Sequence, residues 1–138
     1  MNKIDKLQQQ IISEFELFSE WSEKYQHIID QGNKLESLDS CYKVADNLVK
    51  GCQSQLWLIA EIKDERVYYQ ADCDSPIPKG IVALMIRVLS SQSINDIKQA
   101  DLYFIQQTQL INYLSPNRVN GLIALLARMK ELACKPSL

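Results

Sequence analysis

Apolar residues in the first quarter of the chain recur at spacings of three and four: Ile4, Leu7, Ile11, Phe15, Phe18, Trp21, Tyr25 and Ile28. That period lines one face of a helix. Residues 2–31 are expected to form one kinked helix, or two in succession with a bend near Ser13 or Ser19, stopped by Gly32-Asn33. Residues 33–46 carry no period, and Leu35, Leu38, Tyr42 and Val44 are expected to anchor a connecting loop. The period then becomes two. Leu56, Leu58, Ala60 and Ile62 alternate with polar or outward positions, as do Val67, Tyr69, Ala71 and Cys73. Two strands are predicted over Gln55 to Ile62 and Val67 to Cys73, with Lys63-Asp64-Glu65-Arg66 as the turn. This turn lacks Gly and Asn, so register is not fixed by turn chemistry. A short strand at Asn47 to Val49 is expected as the third member of the sheet.

Beyond the hairpin the helical period returns at Ile81, Val82, Leu84, Met85, Val88 and Leu89, after Pro76 and Pro78. Ser93 and Asp96 open a short helix ending near Gln99, and residues 101–114 read as irregular turns. Ser115-Pro116 supplies an N-cap and a proline at the first helical position. A last helix follows, with Val119, Leu122, Ile123, Leu126 and Met129 on its inner face. Gly121 inside this helix signals close backbone packing. Helices, a small antiparallel hairpin sheet and more helices make an α+β architecture.

Composition narrows the function. At 138 residues, 46% hydrophobic and 23% charged, the chain reads as one domain over 1–138 with its own core. A net charge of -2 gives no basic footprint for nucleic acid or anionic lipid. The polar start Met1-Asn2-Lys3-Ile4-Asp5-Lys6 resembles no signal peptide, and no apolar run is long enough to span a bilayer, so a cytoplasmic location is expected. There the four cysteines stay reduced. They form no Cys-x-x-Cys pair, and His27, read as a surface or rim residue, is the only histidine, so no metal site is expected.

The cysteines differ in setting. Cys41 sits in a loop without charged neighbours, Cys134 near the C-terminus, and Cys73 between Asp72 and Asp74 on a strand face, where a buried structural thiol is expected. Cys52 follows Gly51 and precedes Gln53-Ser54 in a polar loop that feeds a strand, the setting of a positioned but movable nucleophile. If Asp64 and Glu65 form the turn tip, Ile62 pairs with Val67, Leu58 with Ala71 and Gln55 with Asp74. Cys52, three residues before Gln55, then lies within about 10 Å of that sheet end, where the helix after Pro78 begins. The positive helix end favours a thiolate there and Asp74 disfavours it, which leaves both a resting thiol and a permanently reactive one open.

The segment Gly51-Cys52-Gln53-Ser54-Gln55-Leu56-Trp57-Leu58 resembles the signature of the SufE family of sulfur acceptors in iron–sulfur cluster assembly. The likeness continues through Ala71-Asp72-Cys73-Asp74, Lys79-Gly80-Ile81-Val82-Ala83-Leu84 and Leu114-Ser115-Pro116-Asn117-Arg118-Val119-Asn120-Gly121-Leu122, in order along nearly the whole chain. The resemblance implies a SufE/IscU-like fold and a persulfide relay. Cys52 would take sulfur from the active cysteine of a pyridoxal-phosphate-dependent cysteine desulfurase, of SufS or CsdA type, stimulate it, and pass sulfur to a downstream iron–sulfur scaffold by thiol exchange. It implies no cofactor of the chain's own. Arg118 matches the arginine of the terminal block, and Asp74 an aspartate bordering the cysteine loop. Gly51, Gln53 and Ser54 would support that loop or meet the partner, while Asp72 is the lesser member of the aspartate pair. A U-type scaffold or metal-binding protein is the alternative.

Overall fold

The computed structural model of the chain describes residues 2–136. The amphipathic first quarter is two helices, α1 (Lys3–Glu16) and α2 (Trp21–Asn33), broken across residues 17–20 and restarted by a capping box between Glu20 and Glu23. The hairpin strands are β1 (Leu56–Lys63) and β2 (Arg66–Cys73), with Ile62 opposite Val67 and Leu58 opposite Ala71 as the turn tip requires. Asp64 and Glu65 both take positive φ, 52° and 64°, the backbone of a tight two-residue turn even without Gly or Asn. Leu56, Leu58, Ala60, Val67, Tyr69, Ala71 and Cys73 are buried on the inner face. Ile62 departs from the expected alternation, because it lies at the open turn end and is 39% exposed.

The third strand lies elsewhere than expected. Leu48 makes a single bridge to Trp57, and Val49 N–H donates to Leu56 O at 2.9 Å, so residues 47–49 touch the sheet edge without forming a strand. The edge partner of β2 is β3 (Gln92–Ser93), paired at Arg66 and Val67. Before the sheet the connecting loop tightens into 3-10 turns at Ser40–Tyr42 and Ala45–Asn47; Leu38 anchors it as expected, while Val44 is exposed.

Helix α3 (Pro76–Leu89) starts at Pro76, where the sequence reading began it after Pro78, since proline at the first helical position needs no N–H partner. It is buried from Gly80 to Met85 and again at Val88 and Leu89, the signature of a central helix, and packs on α1, α2 and β2. Helices α4 (Ile94–Gln99) and α5 (Phe104–Gln107) lead to α6 (Pro116–Cys134), which packs on β1. Ser93 and Ser115 cap α4 and α6 through the N–H groups of Asp96 and Arg118. In α6 the buried stripe runs through Gly121, Leu122, Leu125, Met129 and Leu132. Ile123, expected inside, is 60% exposed. Tyr69 Oη donates to Met129 O at 2.6 Å and pins α6 across the sheet; burial pushes its phenol well above the usual range.

Candidate functional site

Cys52 lies where the loop before β1 runs against the start of α6. Gly51 has φ +93°, and a Cβ there would stand 3.1 Å from the Ala124 methyl, so both backbone and space call for glycine. Gly121 supplies the other half of the fit. A Cβ built on it would lie 3.4 Å from Cys52 Sγ, and Cys52 Sγ–H donates to the Gly121 carbonyl at 3.5 Å. The interrupting glycine of the last helix is therefore the seat of the thiol.

The loop's exit is tied to the end of β2. Asp74 N–H donates to Gln55 O at 3.1 Å, and Gln55 N–H to Asp74 Oδ1 at 3.0 Å, so the expected Gln55–Asp74 pairing holds through a side chain. Ser54 Oγ–H donates to Ser75 Oγ at 2.9 Å. Asp72 faces elsewhere: Lys43 Nζ approaches it at 2.9 Å and Lys79 Nζ at 3.3 Å. Burial alone pushes Asp72 up, but hydrogen bonds from Lys43, the Cys73 N–H and Lys79 bring it below the usual carboxylate range.

A small cleft of about 70 Å³ opens at the thiol, lined by Cys52, Gln53, Leu56, Pro78, Arg118 and Leu122 among others. One water-sized site needs about 10–15 Å³, so the cleft accommodates an added sulfur atom. Arg118, third residue of α6, is exposed, and among the described residues no ion pair engages its guanidinium. Burial pushes the half-buried Cys52 thiol up, and Cys73 adds to the shift. Both the direction of that shift and the contact of Sγ–H with Gly121 O favour the thiol over the thiolate at rest.

Burial pushes the Cys73 thiol up, with the charges of Asp74 and Asp72 adding to it, against hydrogen bonds from the Ser75 and Asp74 N–H groups. Cys73 is buried, and Cys41 and Cys134 are exposed. His27 is a rim residue, with Nε2 3.1 Å from Glu14 Oε1. Among the described residues no group of three His, Cys, Asp or Glu is placed to hold a metal ion, and no helix is long and apolar enough to cross a membrane. Sequence reasoning missed Gly121 as the contact of Cys52; its position inside an otherwise strong helix was the available signal.

Fold and candidate site together make an α+β domain with a thiol seated between a loop and a helix. The chain belongs to the SufE family, for the family model described as SufE, Fe-S metabolism associated domain, matches residues 9–133. It is similar to SufE-like protein 1, chloroplastic/mitochondrial, of Arabidopsis thaliana, at 37% identity over 91% of this chain, and spans 34% of that longer protein. It is 30% identical to the Cysteine desulfuration protein SufE of Wigglesworthia glossinidia brevipalpis, over 96% of this chain and 93% of that one. A solution structure of a hypothetical protein from Thermus thermophilus shares the fold, with a TM-score of 0.77 over 94% of both chains at 18% identity.

Proposed function

We propose that this protein accepts sulfur on Cys52 from the persulfide of a pyridoxal-phosphate-dependent cysteine desulfurase, stimulates that enzyme, and relays the sulfur to an iron–sulfur scaffold in the cytoplasm. The observation that carries the reading is the seat of Cys52: a thiol on a short loop, backed by Gly121, beside a cleft with room for a second sulfur. The relative named for cysteine desulfuration supports the same chemistry.

The resting geometry suits a carrier. Burial and the Gly121 contact keep the thiol protonated and poorly nucleophilic while no partner is present. Movement of the loop away from Gly121 relieves both effects and exposes Sγ. The thiolate then attacks the outer sulfur of the donor persulfide and the donor cysteine leaves as thiolate, which requires no metal or cofactor in the acceptor. On return, the terminal sulfur enters the cleft beside Leu56 and Leu122, away from solvent thiols. Arg118, exposed on the same rim, offers a guanidinium to a carboxylate of the partner or to the persulfide anion.

The test is desulfurase turnover, followed as alanine release with and without this protein. Wild type should raise the rate and Cys52→Ser should leave it at the level of the enzyme alone. Equal stimulation by both would refute the acceptor role.

A further inference from the structure

Cys52 stands midway along a short segment that is fixed at both ends. Val49 is buried and its N–H donates to Leu56 O at 2.9 Å, while Gln55 exchanges two hydrogen bonds with Asp74. Among the described residues, two hydrogen bonds tie residues 50–54, between these anchors, to the helices. Cys52 Sγ–H donates to Gly121 O in α6 at 3.5 Å, and Ser54 Oγ–H donates to Ser75 Oγ, at the head of α3, at 2.9 Å. A thiol is a weak donor, so the serine pair is the firmer of the two ties.

Ser75 occupies the N-cap of α3, where a serine hydroxyl ordinarily accepts from an N–H of the first helical turn, as Ser93 and Ser115 do in α4 and α6. Ser75 makes no such bond. Its hydroxyl accepts from Ser54 instead, and donates to Asp74 Oδ1 at 3.3 Å, the same oxygen that receives the Gln55 N–H at 3.0 Å. Ser54, Ser75, Asp74 and Gln55 therefore close a ring of hydrogen bonds around the point where the segment joins β1. The carboxylate at the end of the row polarises both hydroxyls in line. The helix forgoes this hydroxyl, and the loop beside Cys52 uses it.

We infer that Ser75 is a positioning residue for Cys52: through Ser54 it latches the segment closed and sets how often Sγ leaves its seat on Gly121. Opening breaks the Ser54–Ser75 and Cys52–Gly121 bonds while the anchors at Val49 and Gln55 hold, so the swing is confined to residues 50–54. The consequence for sulfur transfer rests on the acceptor role proposed for Cys52. A partner that engages Sγ only in the open form binds more weakly in proportion to the fraction open. Loss of the latch then lowers the concentration of this protein needed for half-maximal stimulation and leaves the maximal rate unchanged.

Iodoacetamide labelling of the full-length protein reads opening without any desulfurase, and trypsin separates the 51–63 peptide of Cys52 from the 35–43 peptide of the exposed Cys41. Ser75→Ala should label at Cys52 about two- to tenfold faster than wild type, the change in equilibrium that one neutral hydrogen bond carries, with Cys41 unchanged. Ser75→Thr, which keeps the hydroxyl, should match wild type, and Ser54→Ala combined with Ser75→Ala should label no faster than either alone. With a cysteine desulfurase present, Ser75→Ala should reach half-maximal stimulation at a concentration lower by the same factor, at the wild-type maximal rate. Labelling of Cys52 no faster than in wild type, faster labelling that Ser75→Thr shares, or an equal rise at Cys41 would overturn the inference. A half-maximal concentration unchanged or raised in Ser75→Ala would overturn it as well. Absence of stimulation by wild type would refute the acceptor role, and the labelling rates would still decide the latch.

Discussion

Two clefts on this molecule invite opposite first impressions. The one lined by Glu14, His27, Gln31, Lys34 and Arg87 is far richer in charge than the one at Cys52. Its charges, however, answer one another. Arg87 donates from Nη1 to Glu14 Oε1 at 2.9 Å, from Nη2 to Glu14 Oε2 at 2.7 Å, and from Nη1 to Gln31 Oε1 at 2.8 Å. His27, at 3.1 Å from the same carboxylate, stands between the rings of Phe15 and Phe18. Hydrogen bonding from Arg87 holds Glu14 below the usual carboxylate range against the cost of burial, with the Arg87 charge and His27 assisting. These groups clamp α1, α2 and α3 and leave little for a ligand. The Cys52 cleft has one charged side chain, Arg118, but its thiol has one weak bond and that arginine no ion pair among the described residues. Weakly held groups, more than density of charge, single out the Cys52 cleft as the candidate site.

Several experiments separate the two regions, and the largest effect belongs to the sparse one. Cys52→Ser should abolish desulfurase stimulation with Tm within about 2 °C of wild type, since a half-buried thiol contributes little to the core. Arg118→Glu should lower the sulfur-transfer rate by about tenfold, the loss of one charge-assisted contact, with an unchanged melting curve; unchanged transfer kinetics would make Arg118 a solvated surface residue. Alkylation of Cys52 by iodoacetamide should be slower at pH 8 than for a free cysteine peptide, and should keep rising above pH 9, because its folded pKa is raised from 9.0. A rate plateau below pH 8 would contradict the resting contact with Gly121.

The charged cleft should answer in stability instead. Glu14→Gln should lower stability by about 1–2 kcal/mol, discounted because both partners are about a quarter exposed, while sulfur acceptance stays intact. The pH dependence has a definite sign. Glu14 has a folded pKa below its ordinary 4.5, so its stabilisation is present above that value and is lost as pH falls through the folded pKa. Denaturant melts from pH 7 to pH 3 should show this acid loss in wild type, and less of it in Glu14→Gln. The smallest effects are expected at the exposed thiols, where Cys41→Ser and Cys134→Ser should each leave the melting curve and sulfur transfer unchanged.

Local signals made much of this legible in sequence. The alternation on either side of Asp64-Glu65 set the hairpin register, Ser93 and Ser115 announced the caps they make, and the Gly51-Cys52-Gln53-Ser54 loop fell at the hairpin end as its spacing required. The rest depends on partners far apart in the chain. A strand of two residues, Gln92–Ser93, has no period to detect. A helical stripe read at 100° per residue leaves Ile123 and Leu125 both near the edge, and only packing on β1 decides that Leu125 goes inside. Gln8, fully buried, looks polar and exposed until its amide is seen bonding Asp101 O and Phe104 N–H. The Glu14–Arg87 pair likewise joins helices with no common sequence signal. At the site itself, the neighbours of Cys52 in sequence were evident, but its seat on Gly121, 69 residues further along the chain, is a tertiary fact.

The most direct test of sulfur acceptance uses free cysteine labelled at sulfur, a cysteine desulfurase and this protein, separated on a non-reducing gel. Label should appear on this chain, leave it on addition of dithiothreitol, and be absent from Cys52→Ser. Label retained by Cys52→Ser at the wild-type level, or none on wild type while the desulfurase itself is labelled, would contradict the assignment of Cys52 as the acceptor.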